Sequence, residues 1–157
     1  MSTEVYSPEA FTENLARVIR SSQLSGAVRA CLVTTRDRDY AINMLKETAA
    51  VCECPLYHFT VSGRRRYNAS QLRWDPVGAE SPDVTGLLRH ARDLRGGGVV
   101  AFEDCATFLR DEGGDPRMRM LLADMLSPEN KGEGLVLTFI EPPEGERRLP
   151  SIMADQF

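Results

Sequence analysis

The sequence predicts a three-layer α/β fold, in which helices cover both faces of a mainly parallel sheet of about four to five strands. Segments with helical periodicity alternate along the chain with short apolar runs, such as VRACLVTT at 28–35 and LVLTFI at 135–140. Such runs are typical of strands that are buried on both faces. The length of 157 residues fits one domain with its own hydrophobic core, and the chain contains no internal repeat.

The first half of the chain contains two helices and two strands in alternation. Ser7 and Pro8 give the cap and first-turn signals of a helix. Asp37 is placed to cap a second helix, which Pro55 prevents from continuing. From these signals we predict a helix over 8–22, a strand over 28–35, a helix over 37–52 and a strand over 56–61.

The second half repeats this alternation after an irregular stretch. Residues 63–82 follow neither the strand nor the helix period, which predicts a long loop that is either functional or mobile. Beyond it we predict a helix from Ser81 to the glycines at 96–98, a strand over 99–102, a short helix over 105–110, a helix over 115–127 and a strand over 135–140. The chain, 1–157, is thus predicted to be one domain with a core over 28–141 and a tail over 142–157.

The composition points to a cytoplasmic protein that does not contact membranes. The net charge of -4 gives no reason to expect that the molecule as a whole binds a polyanion. The amino terminus lacks the pattern of a signal peptide, and no apolar run approaches the ~20 residues of a membrane span.

The four cysteines are predicted to be free, reduced thiols, because the sequence gives no sign of secretion. Cys52 and Cys54 with nearby His58 resemble half of a zinc site. A zinc knuckle uses two such cysteine pairs, and the chain has no second pair, so we expect no bound metal. His58 and His90 are both predicted to be structural or surface residues.

Two adjacent carboxylates, Glu103 and Asp104, follow the apolar strand GVVAF. In ATPases with a phosphate-binding loop, an acid at such a strand end holds magnesium, because parallel sheets present their strand ends to the ligand crevice. If the chain has catalytic residues, these two are the candidates. The alternative is that their carboxylates cap the short helix that follows.

The chain lacks the phosphate-binding loop that this chemistry requires. The motif G-x-x-x-x-G-K-[ST] needs a lysine followed by serine or threonine, and neither Lys46 nor Lys131 has that context. The turn after the first strand holds Thr35, Arg36 and Asp37, is short and contains no glycine. We interpret it as a vestigial phosphate-side turn and expect no hydrolysis by this chain alone.

The stretch 63–82 is the best candidate for a recognition surface. Arginines and aromatic rings together bind phosphates and stack on bases or adenine. The alternatives are a solvated loop and a loop that is ordered only by another subunit. The candidate residues are Arg64, Arg65, Arg66, Tyr67, Arg73 and Trp74.

Several segments resemble the amino-terminal region of the AAA-type ATPases of the plastid hypothetical-reading-frame family and their bacterial relatives. These segments are LVTTRDRDYAINMLKETA, LYHFTVSGRRR, GGVVAFEDCATFL and LVLTFIEPP followed by RRLPSIM, in that order within 28–153. The family's region is a degenerate AAA-like domain without a working phosphate-binding loop, followed by an active AAA module. The resemblance implies a degenerate P-loop NTPase architecture, with Glu103 and Asp104 at the magnesium-binding strand end and residues 135–140 at the sensor strand.

The leading hypothesis is therefore a non-catalytic regulatory or assembly domain that binds a protein, either an AAA module or a client of one. Formation of homo-oligomers is a further option. ATP and magnesium are expected only in an adjacent module. Because the chain ends at Phe157, it is expected to be a fragment of a longer ATPase or a stand-alone version. The alternatives are a nucleotide or nucleic-acid binding module that uses residues 64–74, with nucleic acid not favoured, and an ATPase or other small enzyme that uses Glu103 and Asp104.

Overall fold

A computed structural model describes residues 8–60, 62–78, 84–103, 105–109, 112–130 and 134–142. In chain order the elements are α1 (Pro8–Ser25), β1 (Arg29–Thr34), α2 (Arg38–Val51), β2 (Leu56–Thr60), β3 (Gly63–Asn68), β4 (Arg73–Pro76), α3 (Val84–Arg92), β5 (Gly98–Glu103), a 3-10 helix (Ala106–Leu109), α4 (Pro116–Leu126) and β6 (Leu135–Glu141). In the part of the chain that these ranges cover, no helix is both long and apolar enough to span a membrane. The predicted tail beyond Pro142, the Ser81 start of the third helix and Asp104 lie outside the described residues.

The strands form one mixed sheet in the order β1-β6-β5-β2-β3-β4. The first four strands of this order are parallel, whereas β3 is antiparallel to β2 and β4 is antiparallel to β3. The predicted α/β class and mainly parallel sheet are confirmed. The prediction of about four to five strands is wrong, because the described residues alone form a six-stranded sheet.

The two additional strands lie in the stretch that the sequence predicted to be an irregular loop. β3 and β4 form a hairpin in which Tyr67 lies opposite Trp74. Their polar side chains conceal the strand period, since β4 is an edge strand of the sheet and β3, next to it, has exposed positions. The hairpin turn contains Leu72 with a φ of 51°, a conformation that leucine rarely adopts and that the sequence does not signal.

Helices pack on both faces of the sheet and give it three layers. On one face, called the α1/α2 face, side chains of these two helices pack against alternate residues of the parallel strands, including Leu15, Ile19, Leu45, Val99 and Val136. On the other face, called the α3/α4 face, the core includes Leu87, Leu122, Phe59, Phe102 and Phe139. The two cores account for the burial of every residue of β6.

The predicted cap of the second helix is confirmed, because the Asp37 side chain accepts a hydrogen bond from the Tyr40 amide at the start of α2. Asp115 likewise accepts one from the Arg117 amide at the start of α4. Ser7, the predicted cap of the first helix, lies outside the described residues. α1 continues to Ser25 rather than ending at residue 22, because Gly26, with a φ of 74°, provides the left-handed residue that ends the helix.

The chain leaves β1 and β5 toward opposite faces of the sheet. β1 leads into α2 on the α1/α2 face, and β5 leads toward α4 on the α3/α4 face. β6 lies between these two strands. In parallel sheets, ligands bind at the carboxyl edge where such connections diverge, so this edge is where a site is first sought.

Candidate functional site

The candidate site begins with His58 and Glu103, which meet on the α1/α2 face. β2 and β5 are parallel neighbours with His58 opposite Ala101, so the next residue of β5 on that face is Glu103. The His58 Nε2 atom lies 3.3 Å from the Glu103 Oε2 atom, and the two side chains are 8% and 18% exposed. This is an ion-pair distance, but the geometry is not that of a hydrogen bond, and Nε2 has no hydrogen-bond partner within the described chain.

Arg65 determines which nitrogen of the neutral His58 ring carries the proton. It lies opposite His58 on β3, and its guanidinium group contacts the Nδ1 atom at 2.5 Å. A guanidinium can only donate, so Nδ1 accepts, and the single proton of the neutral ring is on Nε2, the nitrogen that lies 3.3 Å from Glu103. Burial lowers the pKa of His58, the Arg65 charge lowers it further, and Glu103 acts in the opposite direction.

Two aromatic rings extend this group toward α2. Tyr67 and Trp74 are cross-strand neighbours with ring centroids 5.2 Å apart. The Arg65 guanidinium lies 4.9 Å from the Trp74 ring centre, and the Lys46 ammonium from α2 lies 4.7 Å from that of Tyr67. Such cation–π contacts connect the hairpin to α2. We call His58, Glu103, Arg65, Tyr67, Trp74 and Lys46 the His58 cluster.

The other three predicted recognition arginines lie on the opposite face of the hairpin. Arg64 contacts the His90 Nδ1 atom at 3.0 Å, and Arg66 lies over the Tyr57 ring at 5.6 Å. Arg73 forms a surface ion pair of 3.0 Å with Asp75. Successive residues of a strand point to opposite faces, so the hairpin divides the predicted surface into two.

Hydrogen bonds within the turn and to β6 close the turn after β1. The Thr35 amide donates to the Glu141 carbonyl at 2.9 Å, and the Asp37 amide donates to the Thr35 hydroxyl at 3.0 Å. Asp37 Oδ1 then accepts from the Tyr40 amide at 3.0 Å, while Arg36 is exposed. A helix N-terminus attracts anions, and here the Asp37 carboxylate already occupies that position.

Glu103 and this turn both lie at the carboxyl ends of parallel strands, with β6 between the two strands. Neighbouring strands are about 4.8 Å apart, which places the two strand ends roughly 10 Å from each other. No group of three or more histidine, cysteine, aspartate or glutamate side chains in the described ranges is arranged to hold a metal ion.

The cysteines near the predicted half zinc site are free thiols. Burial raises the pKa of Cys54 to about 11 and that of Cys31 to about 12. Burial also raises the pKa of Cys52. Metal ligation requires the thiolate, so these environments disfavour it.

A groove of about 660 Å³ opens beside the cluster, between the end of α2 and the tip of the hairpin. Its walls include Lys46, Arg66, Tyr67 and Asn68, together with the acidic residues Glu53 and Asp75. Sequence reasoning did not find the roles of His58 and Lys46 in this region. The available signal was a titratable residue in the middle of the buried run LYHFT.

No model of a known protein family and no curated protein sequence matches this chain. The resemblance to the amino-terminal region of the AAA-type ATPases thus stays a prediction that rests on the quoted segments.

Proposed function

We propose that this chain is a non-catalytic, degenerate AAA-like domain that binds protein, either an AAA module or a client of one. The observation that carries this proposal is the Asp37 carboxylate at the N-terminus of α2, bonded to the Tyr40 amide at 3.0 Å. An active domain of this architecture would present free amides there to a phosphate group. A carboxylate in that place repels phosphate and satisfies an amide that would bind it.

The strand arrangement supports the degenerate P-loop architecture. β1, β6 and β5 are adjacent and parallel, so the turn after β1, the end of β6 and Glu103 share one edge. The resemblance assigns magnesium binding to the end of β5 and sensing to β6, and the sequence of the turn after β1 is interpreted as a vestigial phosphate-side turn. Their common edge is the one at which parallel sheets bind ligands.

The surroundings of Glu103 support the absence of magnesium chemistry. Its carboxylate lies 3.3 Å from the His58 Nε2 atom, and the Arg65 guanidinium contacts the other nitrogen of the same ring. A cation near Glu103 would compete with this arrangement for the carboxylate and would be repelled by the arginine.

Calorimetry with ATP and magnesium tests the non-catalytic part of the proposal. We expect no saturable binding up to about 1 mM nucleotide. At this concentration a complex with a binding free energy of about -4 kcal/mol, which is a dissociation constant of about 1 mM, would be detected. Micromolar binding with turnover that Glu103→Gln abolishes would refute it. Glu112→Gln, at an exposed glutamate, is the matched control.

The regulatory part is tested by adding the chain to an active AAA module of the resembled family and measuring ATP hydrolysis. We expect the rate to change in a saturable way. An unchanged rate, together with no complex in sedimentation, would leave the module without support as a partner and direct the search to clients.

A second candidate function is nucleotide binding in the 660 Å³ groove, which the positions of Lys46, Arg66 and Tyr67 on its walls favour. Its volume lies in the range of small-molecule sites. The same calorimetry separates the two candidates. Binding that is lost in Lys46→Ala and Arg66→Ala but kept in Glu103→Gln would assign the nucleotide to this groove rather than to the strand ends.

A further inference from the structure

α1 carries a stripe of charge along its solvent side. Glu9, Glu13, Arg17 and Arg20 are all exposed, and their spacing places them within about a quarter of the helix circumference. The amino-terminal half of the stripe is acidic and the carboxyl-terminal half is basic. The stripe ends at Leu24, whose side chain is 90% exposed.

This stripe forms one wall of a groove of about 1070 Å³ between α1 and α2. Met44, Glu47 and Val51 of α2 form the other wall, and Val51 is 59% exposed. Exposed apolar side chains in a concave surface with a charged rim are typical of an interaction site.

The charges of the stripe are not neutralised within the helix. Among the described residues, no ion pair joins an acidic member to a basic one. The Arg17 guanidinium instead donates to the Asn14 side chain at 3.3 Å. Glu13 and Arg17 thus remain available to opposite charges from another molecule.

We propose that the α1/α2 groove binds the same groove of a second copy, with the two α1 helices antiparallel about a two-fold axis. In this pairing Glu9 meets Arg20 of the second copy, and Glu13 meets Arg17. The two pairs have nearly the same midpoint, between residues 14 and 15 for the first and at residue 15 for the second. One axis satisfies both, and self-complementary contact of this kind is what a two-fold interface requires.

The expected association is weak and sensitive to salt. The proposed contact consists of one antiparallel helix pair with flanking α2 residues, and contacts that bury less than roughly 1,200 Å² of total surface are typically weak and transient. Exposed ion pairs contribute little individually and are screened by salt. Leu24, Met44 and Val51 supply the apolar part of the contact.

Sedimentation equilibrium with charge-reversed variants tests this pairing. The acidic variant carries Arg17→Glu and Arg20→Glu, and the basic variant carries Glu9→Arg and Glu13→Arg. We expect the wild type to dimerise at low salt and each variant alone to be monomeric. An equimolar mixture should form heterodimers at least about tenfold more tightly than either variant associates with itself, equivalent to about 1.4 kcal/mol.

A control variant with Glu112→Arg and Glu129→Arg changes the net charge as the basic variant does, at exposed sites outside the groove. It should dimerise like the wild type. Far-UV circular dichroism verifies that all variants are folded, as expected for exposed positions. A wild type that stays monomeric at about 1 mM, or a mixture that stays monomeric where the wild type dimerises, would overturn the pairing. The molar masses from sedimentation do not depend on nucleotide binding. The dimer and the proposed function can therefore be refuted independently of each other.

Discussion

His58 of β2 and Glu103 of β5 face each other on the α1/α2 side of the sheet, with Nε2 3.3 Å from Oε2. The contact of Arg65 with Nδ1 places the ring proton on the nitrogen that faces the carboxylate. A neutral histidine is thus held between a cation and an anion in a largely buried position. This arrangement makes the protonation of His58 measurable in two independent ways.

The first prediction concerns stability against pH. Because burial lowers the pKa of His58 in the folded state below its ordinary value of 6.5, the unfolded chain binds the proton more readily. The free energy of unfolding should therefore be constant above about pH 7 and should fall as the pH decreases through 6.5, by at most about 1.4 kcal/mol per pH unit for each proton. Urea unfolding between pH 5 and 8 measures this. His58→Gln should reduce the slope.

His90 contributes to the same pH dependence with the same sign, since burial and the Arg64 charge lower its pKa while Asp93 opposes them. His90→Gln is the companion variant and should remove only the part of the slope that His90 contributes. A wild-type stability that rises toward pH 5 would contradict the neutral assignment, because it would require a His58 that is protonated and paired with Glu103.

The second prediction uses Trp74, the one tryptophan of the chain, as a local probe. The His58 ring centre lies 5.7 Å from the Trp74 ring centre. A protonated imidazole quenches indole emission more strongly than a neutral one, so the fluorescence of the folded protein should fall on acidification with a midpoint below 6.5. The transition should disappear in His58→Gln and persist in His90→Gln. Persistence in both variants would show that other groups cause it.

The buried part of the fold could be predicted from the sequence because its strands bury both faces. β5 and β6 are continuous apolar runs, and their ends were predicted to within a residue or two. β3 and β4 could not be predicted, since polar residues of an edge hairpin carry little hydrophobic signal. The positive φ of Leu72 also has no counterpart in the turn residues that normally mark a hairpin.

The site was predicted in part for the same reason. Glu103 was found because it ends an apolar strand, but its contact with His58 depends on the pairing of β2 with β5, which a single sequence does not specify. The division of the arginines follows directly from the strand period once residues 63–68 are known to be a strand. The placement of the arginines on two faces could therefore be predicted only once residues 63–68 were recognised as a strand.

The third prediction concerns the cap of α2. Asp37→Ala removes the side chain that accepts from the Tyr40 amide and should lower the free energy of unfolding by about 1 kcal/mol. Asp37→Asn keeps an acceptor and should cost only a few tenths of a kcal/mol. Asp115→Ala, at the corresponding cap of α4, is the comparison. Chemical denaturation of the variants at pH 7 measures all three. If Asp37→Ala were as stable as the wild type, the carboxylate would not be holding the helix N-terminus.

The fourth prediction compares two glycines of the same tripeptide. Gly98 has a φ of 112°, and a Cβ atom there would lie 2.7 Å from the Pro55 carbonyl oxygen. That oxygen accepts the Val99 amide at 2.9 Å, so relief of the clash would disturb the start of the β2–β5 pairing. Gly98→Ala should therefore cost about 3 kcal/mol or more.

Substitution of Gly96 distinguishes the cost of backbone strain from the cost of the steric clash at Gly98. Its φ of 81° is also positive, but a Cβ atom there would meet nothing within 4 Å. Gly96→Ala should accordingly cost only the strain of the left-handed region, about 1 kcal/mol. Thermal and urea unfolding of the two variants under identical conditions measure the difference. Equal losses would mean that the approach of Pro55 to β5 adjusts freely, and that glycine is needed at residue 98 for its backbone conformation alone.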